Sequence, residues 1–239
     1  MSSKIGILGY GEIGKAIAKF YQKPRIRDLE GKDDLRGVEV LHICIPWSKD
    51  FVKIAKKKIK EIRPKLTFIH STVKVGTTRK IGVKIVHSPV RGKHPNLYSG
   101  IKTFINYLGA DDKKTGKLAQ KHLTGLGIRT KLLFPSKTTE ALKLWDTAQY
   151  GWFIVLNKEI KKWCVRNRLN FDIIYKEANK TYNEGYLKLK RPEVQRPWLK
   201  FMPGEIGGHC IIPNCYLLDS QITRFILKKN ESYKKNNRA

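Results

Sequence analysis

The hexapeptide Gly9-Tyr10-Gly11-Glu12-Ile13-Gly14 follows directly on an apolar run at residues 4–8. It opens a segment with Ile13, Ala16, Ile17 and Phe20 on one helical side. Few folds accept that sequence. The first glycine permits a tight turn, the second lets a pyrophosphate approach the backbone, and the third lets the helix pack on the strand. A glycine triplet is a weak signal alone, but here it has a strand before it and a helix after it. The helix N-terminus then faces the phosphates with its unpaired N–H groups. Asp28 lies about twenty residues on, at the end of a second short strand over 25–29, where a carboxylate bonds adenosine ribose hydroxyls. Arg25 and Arg27 are close by, so a 2′-phosphate stays open, with NAD favoured over NADP.

The rest of the first half alternates in the same way. Residues 38–45 form a near-continuous apolar run, as a strand buried on both faces requires. A helix over 49–62 follows, then strands over 66–70, 83–87 and 104–108, a helix over 111–126 and a strand over 129–134. This predicts an α/β fold with a doubly wound (Rossmann-type), mostly parallel sheet. Between Gly31 and Gly37 there is no room for a full crossover helix. After Pro135 the pattern changes to one long helix over 138–166, capped by Ser136 or Thr138. Further helices run to about Tyr186, and a proline-rich loop covers 188–203. The domains expected are a dinucleotide-binding domain at 1–135, a helical domain at 136–227, and a basic, frayed tail at 228–239.

The formal net charge is +29, from 49 lysines and arginines against 20 carboxylates. Nucleic-acid binding has to be weighed on that figure. No recognised nucleic-acid motif is present, so only non-specific association is expected. In residues 49–62 the lysines Lys53, Lys56, Lys57 and Lys60 oppose Val52, Ala55, Ile59 and Ile62, and read as a solvated face. No apolar run reaches bilayer length, and the start, Met1-Ser2-Ser3-Lys4, shows no signal-peptide pattern. Four irregularly spaced cysteines give no disulfide framework, and a cytoplasmic setting is expected. Cys44 and Cys164 read as core. His209, Cys210 and Cys215 lack a second close ligand pair, so no metal is expected.

Two further segments carry chemistry. In Thr139-Glu140-Ala141-Leu142-Lys143-Leu144-Trp145-Asp146-Thr147, positions 143 and 147 share a helix face. A lysine held near a cofactor is suited to orienting or accepting a hydroxyl proton. In Pro203-Gly204-Glu205-Ile206-Gly207-Gly208-His209-Cys210-Ile211-Ile212-Pro213, a thiol follows paired glycines that let a ligand approach. Arg91, Lys93 and His94 form a basic loop suited to an anionic or phosphorylated substrate.

Together these segments resemble the UDP-glucose/GDP-mannose (nucleotide-sugar) dehydrogenase family. The cysteine loop is the most specific element. It is joined by His70-Ser71-Thr72-Val73-Lys74-Val75-Gly76-Thr77-Thr78, by His87-Ser88-Pro89, and by Glu140, Lys143 and Glu159 at matching offsets. The resemblance implies a four-electron oxidation of a sugar-type alcohol to an acid with two NAD molecules. Lys143 assists the first hydride transfer, and Cys210 then attacks the aldehyde to give a thiohemiacetal and, after the second hydride transfer, a thioester that water releases. It implies Cys210, Lys143, Thr72, Thr147 and Asn214 as catalytic, and Gly9, Gly11, Glu12, Ile13, Gly14, Asp28, Pro46 and Thr72 as cofactor-binding. Three positions differ: Val90 replaces the family's glutamate, Thr147 its asparagine and Asn214 its aspartate. The sequence also stops soon after Leu218, where the family continues into a C-terminal nucleotide-binding domain. A two-electron β-hydroxyacid or 6-phosphogluconate-type dehydrogenase, and a non-catalytic NAD-binding protein, remain alternatives. The 138–166 helix carries Trp145, Tyr150, Trp152, Phe153 and Trp163, an aromatic excess that predicts a homodimer.

Overall fold

The computed structural model describes residues 4–28, 33–92, 94–208 and 210–236. They form two compact units, Met1–Lys143 and Leu144–Ala239, whose boundary falls inside one long helix.

In the first unit the described residues form a seven-stranded sheet in the order β2-β1-β3-β4-β5-β6-β7. The strands are β1 (Ile5–Leu8), β2 (Arg25–Arg27), β3 (Val40–Ile43), β4 (Leu66–Ile69), β5 (Ile85–His87), β6 (Asn106–Gly109) and β7 (Thr130–Leu133). All pairs are parallel except β5 with β6, which meet antiparallel at His87 and Gly109. The helices are α1 (Glu12–Ala18), α2 (Phe51–Ile62), α3 (Thr77–Ile81), α4 (Leu97–Thr103) and α5 (Lys113–Thr124). This is the doubly wound fold expected from the alternating pattern, followed by helices.

Two apolar layers cover the sheet. One gathers Ile17, Phe68, Val86, Ile101, Leu108 and Leu123, with α1, α4 and α5. The other gathers Leu41, Ile43, Phe51, Ala55, Ile62 and Ile81, with α2 and α3. Strands buried on both faces have no polar side to display, which is why β3 and β4 read as mostly apolar runs, interrupted only by buried His42 and Thr67. No helix joins β2 to β3 among the described residues, and the connection is anchored by buried Leu35 and Val38.

The 30-residue helix α6 (Lys137–Arg166) begins after Ser136. Neither predicted cap is made by a side chain: the Ser136 hydroxyl donates to Asp111 Oδ2 at 2.9 Å, and the Thr138 hydroxyl points back to the Phe134 carbonyl. Asp111 accepts from both the N–H and the hydroxyl of Ser136, which ties the start of α6 to the segment after β6.

In the second unit α6 is followed by a π-helical stretch (Asp172–Glu177), α7 (Ala178–Lys188), a 3-10 turn (Pro192–Val194), α8 (Ile211–Cys215) and α9 (Gln221–Asn236). Val155, Ile206, Ile211, Cys215 and Ile226 form one apolar cluster, and Cys164, Phe171 and Tyr175 another. The tail departs from the frayed segment expected from Lys228 onward. Helix α9 runs to Asn236 because it buries Ile226 and Asn230, and because Glu159 accepts from Lys229 at 2.7 Å and Tyr233 at 3.0 Å. Residues 237–239 lie outside the described residues. No described helix is long and apolar enough to cross a membrane.

Candidate active site

Parallel strands bring several of the predicted residues to one edge of the sheet. Gly9 follows β1, Pro46 follows β3, Thr72 follows β4 and Ser88 follows β5. Gly9 has φ +94°, and an added Cβ would lie 2.8 Å from the backbone carbon of Cys44. No other residue fits between β1 and β3 there. A Cβ on Gly14 would collide with the Gly9 carbonyl, so α1 can approach the loop closely. Gly11 differs. A Cβ there meets nothing within 4 Å, which leaves its backbone facing open space. Ile13 is half-buried against the α1 side of the core. Asp28 reaches back to the loop, and its Oδ2 accepts from the Tyr10 N–H at 2.7 Å. Arg25 is committed elsewhere, donating to the carbonyls of Asp34 and Arg36. Residues 29–32, which include the end of the strand expected over 25–29, lie outside the described residues. Glu12 pairs with His94, joining the glycine loop to the basic loop after Pro89. Arg91 lies over the Tyr107 ring, 5.1 Å from its centroid, and Lys93 lies outside the described residues.

Helix α6 enters this edge through Glu140, which is completely buried. Its Oε2 accepts from the Gly76 N–H at 2.5 Å, and its Oε1 from the N–H and hydroxyl of Thr78, both at 2.7 Å. Three donors on one carboxylate fix the turn that follows Thr72 relative to α6. One helical turn on, Lys143 Nζ donates to the Val90 carbonyl at 3.0 Å. Val90, which stands where the resembling family has a glutamate, is itself buried. Lys143 is therefore aimed at the segment after β5.

A buried imidazole network under this edge was not anticipated from sequence. His70 Nδ1 lies 2.8 Å from the Ser88 carbonyl, which can only accept. Nδ1 must carry the proton, so in the neutral ring Nε2 accepts from His42 Nδ1, also at 2.8 Å. His42 Nε2 then accepts from the Tyr21 hydroxyl, whose oxygen accepts from His122 Nε2, each at 2.8 Å. The same logic applies to His87. Its Nε2 donates to the Ser71 carbonyl at 3.1 Å, so its Nδ1 accepts the Thr139 hydroxyl at 2.8 Å. Burial holds all four imidazoles neutral: it lowers His70 to about 4 and His87 to about 3, and it also lowers His42 and His122. Both chains end on the backbone carbonyls of strand-end turns, and so they set the position of Ser71-Thr72 and Ser88-Pro89.

The second unit holds the cysteine loop. Gly204 and Gly208 take positive φ, +79° and +85°, and Cys210 is half-buried just before α8. Asn214 and Thr147, both expected to be catalytic, meet one another. Asn214 Nδ2 donates to Thr147 Oγ1 at 3.3 Å, and that hydroxyl donates to the Leu144 carbonyl at 2.9 Å. The loop is held from α6 by residues that composition concealed. Lys158 Nζ donates to the carbonyls of Met202 and Gly204, at 2.5 and 2.7 Å, between the rings of Phe201 and Tyr233. Burial lowers its pKa. Asn157 donates to the Leu199 carbonyl and Asn230 accepts from Ile206 N. Cys215 is buried and its thiol is pushed up to about 11, while burial raises the Cys44 thiol further. Among the described residues there is no group of three metal-ligating side chains, and His209 lies outside them.

No family model and no curated protein matches this sequence. Solved structures do match its fold. UDP-D-ManNAc dehydrogenase from Pyrococcus horikoshii aligns with TM-score 0.75 at 20% identity, covering 95% of this chain and 68% of that one. The 3-hydroxyisobutyrate dehydrogenase of Mycobacterium tuberculosis aligns with TM-score 0.73 at 12% identity, covering 99% of this chain and 95% of that one. A UDP-glucose dehydrogenase from Pyrobaculum islandicum aligns with TM-score 0.70 at 15% identity, covering 97% and 68%. At these identities the likeness is one of fold.

Proposed function

We propose that the chain is a nicotinamide-dependent oxidoreductase that acts on the alcohol carbon of an anionic, sugar-type substrate. The observation that carries this is the glycine loop. It leaves the Gly11 backbone open for a pyrophosphate while the Asp28 carboxylate is bonded onto the loop at Tyr10. A dinucleotide fits that donor set, and the commitment of Arg25 to two backbone carbonyls favours NAD over NADP. When bound, the cofactor supplies the hydride acceptor. Lys143 Nζ, steadied by Val90 O, orients the substrate hydroxyl and takes its proton as the carbon gives up hydride. Arg91 and His94 face an anionic group of the substrate. The reading includes Cys210 as the nucleophile that captures the first carbonyl product.

A second reading is favoured by three observations. Thr147 and Asn214 are bonded to one another, and a valine replaces the family's glutamate. The aligned 3-hydroxyisobutyrate dehydrogenase, moreover, matches over nearly the full length of both chains. A two-electron oxidation that ends at the carbonyl needs neither a thiol nor that carboxylate.

The experiment is turnover with NAD and a panel of sugar nucleotides, sugar phosphates and β-hydroxyacids, following NADH. Two NADH per product, abolished in Cys210→Ala, supports the four-electron reaction. One NADH, with Cys210→Ala active and Lys143→Ala inactive, supports the two-electron one. NAD binding without turnover on any substrate rejects both.

A further inference from the structure

Residues 49–84 hold twelve lysines and arginines against two carboxylates, Asp50 and Glu61, which is +10 of the chain's +29. The dehydrogenase reading uses none of this charge. Its densest part is on α2, where Lys53, Lys56, Lys57 and Lys60 are all exposed. At about 100° per residue these four lie within about a 100° arc, opposite buried Phe51, Ala55 and Ile62. Glu61 is occupied by Lys58, a lysine on the helix flank, at 2.7 Å. Among the described residues none of the four forms an ion pair. Helix α3 packs beside α2 and adds exposed Arg79 and Lys80 to the same side of the sheet.

Like charges three and four residues apart weaken a helix. Packing does not require lysine at these positions, since the apolar arc alone seats α2. Helix α5 also bears four exposed lysines behind an aspartate N-cap, but with Asp111 and Asp112 the residues 105–129 around it reach only +3.

We propose that the outer face of α2 and α3 binds double-stranded nucleic acid through its phosphates, without reading sequence. The 12-residue α2 spans about 18 Å, and a duplex presents one phosphate per about 1.7 Å of axis. A straight row of ammonium groups therefore meets several phosphates at once. The face is dominated by lysines, which act as point charges and lack the planar fork that reads guanine edges. Neither helix exposes an aromatic side chain. A single strand would use such rings as stacking platforms, and a bilayer would use them as interfacial anchors.

The test is fluorescence anisotropy of the full chain with a labelled duplex of about 24 base pairs, titrated at several salt concentrations from about 50 mM upward. Two charge-matched variants are compared, K53Q/K56Q/K57Q/K60Q on α2 and K113Q/K114Q/K117Q/K121Q on α5. The α2 variant should lose at least about tenfold in affinity, and its salt slope should fall by up to about 3.6, which is four phosphate contacts. The α5 variant should stay within about threefold. The pair K56Q/K60Q, which perturbs the helix less, should lose about half of the slope. Equal losses in the α2 and α5 variants would overturn the proposal in favour of net charge alone. So would tighter binding to phosphatidylserine vesicles than to the duplex, or no binding by the parent chain at about 50 mM salt.

Discussion

The buried imidazoles make the first unit acid-labile in a defined window. His70 and His87 ionise near 6.5 when unfolded and at about 4 and about 3 when folded. A lowered folded pKa gives stability that is complete above 6.5 and is lost as pH falls toward the folded value. Between about pH 7.5 and about pH 5 each group lowers the unfolding free energy by about 1.5 units at about 1.36 kcal/mol per unit, or about 2 kcal/mol. Together they remove about 4 kcal/mol of a total expected to be about 5–15. His42 and His122 act in the same direction. Protonating His70 also puts a second donor against His42, which breaks the chain at its centre. Carboxylates remain largely ionised at pH 5, so the drop precedes ordinary acid unfolding. At about 2–4 °C per kcal/mol, the melting temperature should fall by about 8–16 °C. Thermal melts at constant ionic strength measure it. The variants His70→Asn and His87→Gln retain one N–H each toward Ser88 O and Ser71 O and cannot ionise. Combined, they should start lower at pH 7.5 and descend much less. A flat profile between pH 7.5 and 5, or an unchanged slope in the double variant, would refute the neutral, proton-ordered network.

The glycine loop separates folding from binding: Gly9→Ala should cost about 1–3 kcal/mol from strain at φ +94° and the 2.8 Å approach to Cys44. Gly11→Ala should melt like the parent yet bind NAD at least about tenfold more weakly in calorimetry, because its methyl group takes the ligand's space. Lys158→Met leaves the Met202 and Gly204 carbonyls without their donor and should cost about 1–3 kcal/mol in urea unfolding. The same variant should alkylate several-fold faster at Cys210, and an unchanged alkylation rate would remove Lys158 from control of the loop. Trp145, Trp152 and Trp163 on α6 are 46, 37 and 48% exposed, and we propose that they pack in a symmetric homodimer. Light scattering at micromolar concentration should give twice the 27.6 kDa chain mass, and a monomer would sink that assignment.

Legibility in the sequence followed burial. Strands β1, β3 and β4 are buried on both sides and mostly apolar, so their runs announced them within a few residues. Helices α3 and α4 left no trace because five and seven residues are too few for a periodic stripe. The antiparallel β5–β6 pair was equally hidden, since a connection of that length is compatible with either direction. Lys143 was singled out by its place in a pattern, and Lys158 was not, being one of 49 basic residues with no motif around it. The C-terminal helix was concealed by composition: among the residues that hold it to the unit, Lys229, Asn230 and Tyr233 are polar, so no apolar stripe marks its second half.

The histidines show a different limit. Each of His42, His70 and His87 stands alone in an apolar strand segment, where one ring reads as a tolerated core residue. What they do depends on a neighbour from another element, because a carbonyl at the end of one strand decides which nitrogen is protonated two strands away. That dependence has a consequence for the chemistry at the sheet edge. Thr72 follows the Ser71 carbonyl held by His87, and Val90, the anchor of Lys143, lies two residues beyond the Ser88 carbonyl held by His70. Protonation leaves those two N–H donations in place but ends the acceptor bonds from His42 and Thr139 on the other side of each ring, so both positions rest on rings whose seating depends on neutrality. Loss of turnover below pH 6 should then track the melting profile of the parent chain. In the His70→Asn, His87→Gln variant the acid limb of kcat should move to lower pH even where its absolute rate is reduced. An acid limb that stays in place would assign it to groups on substrate or cofactor instead.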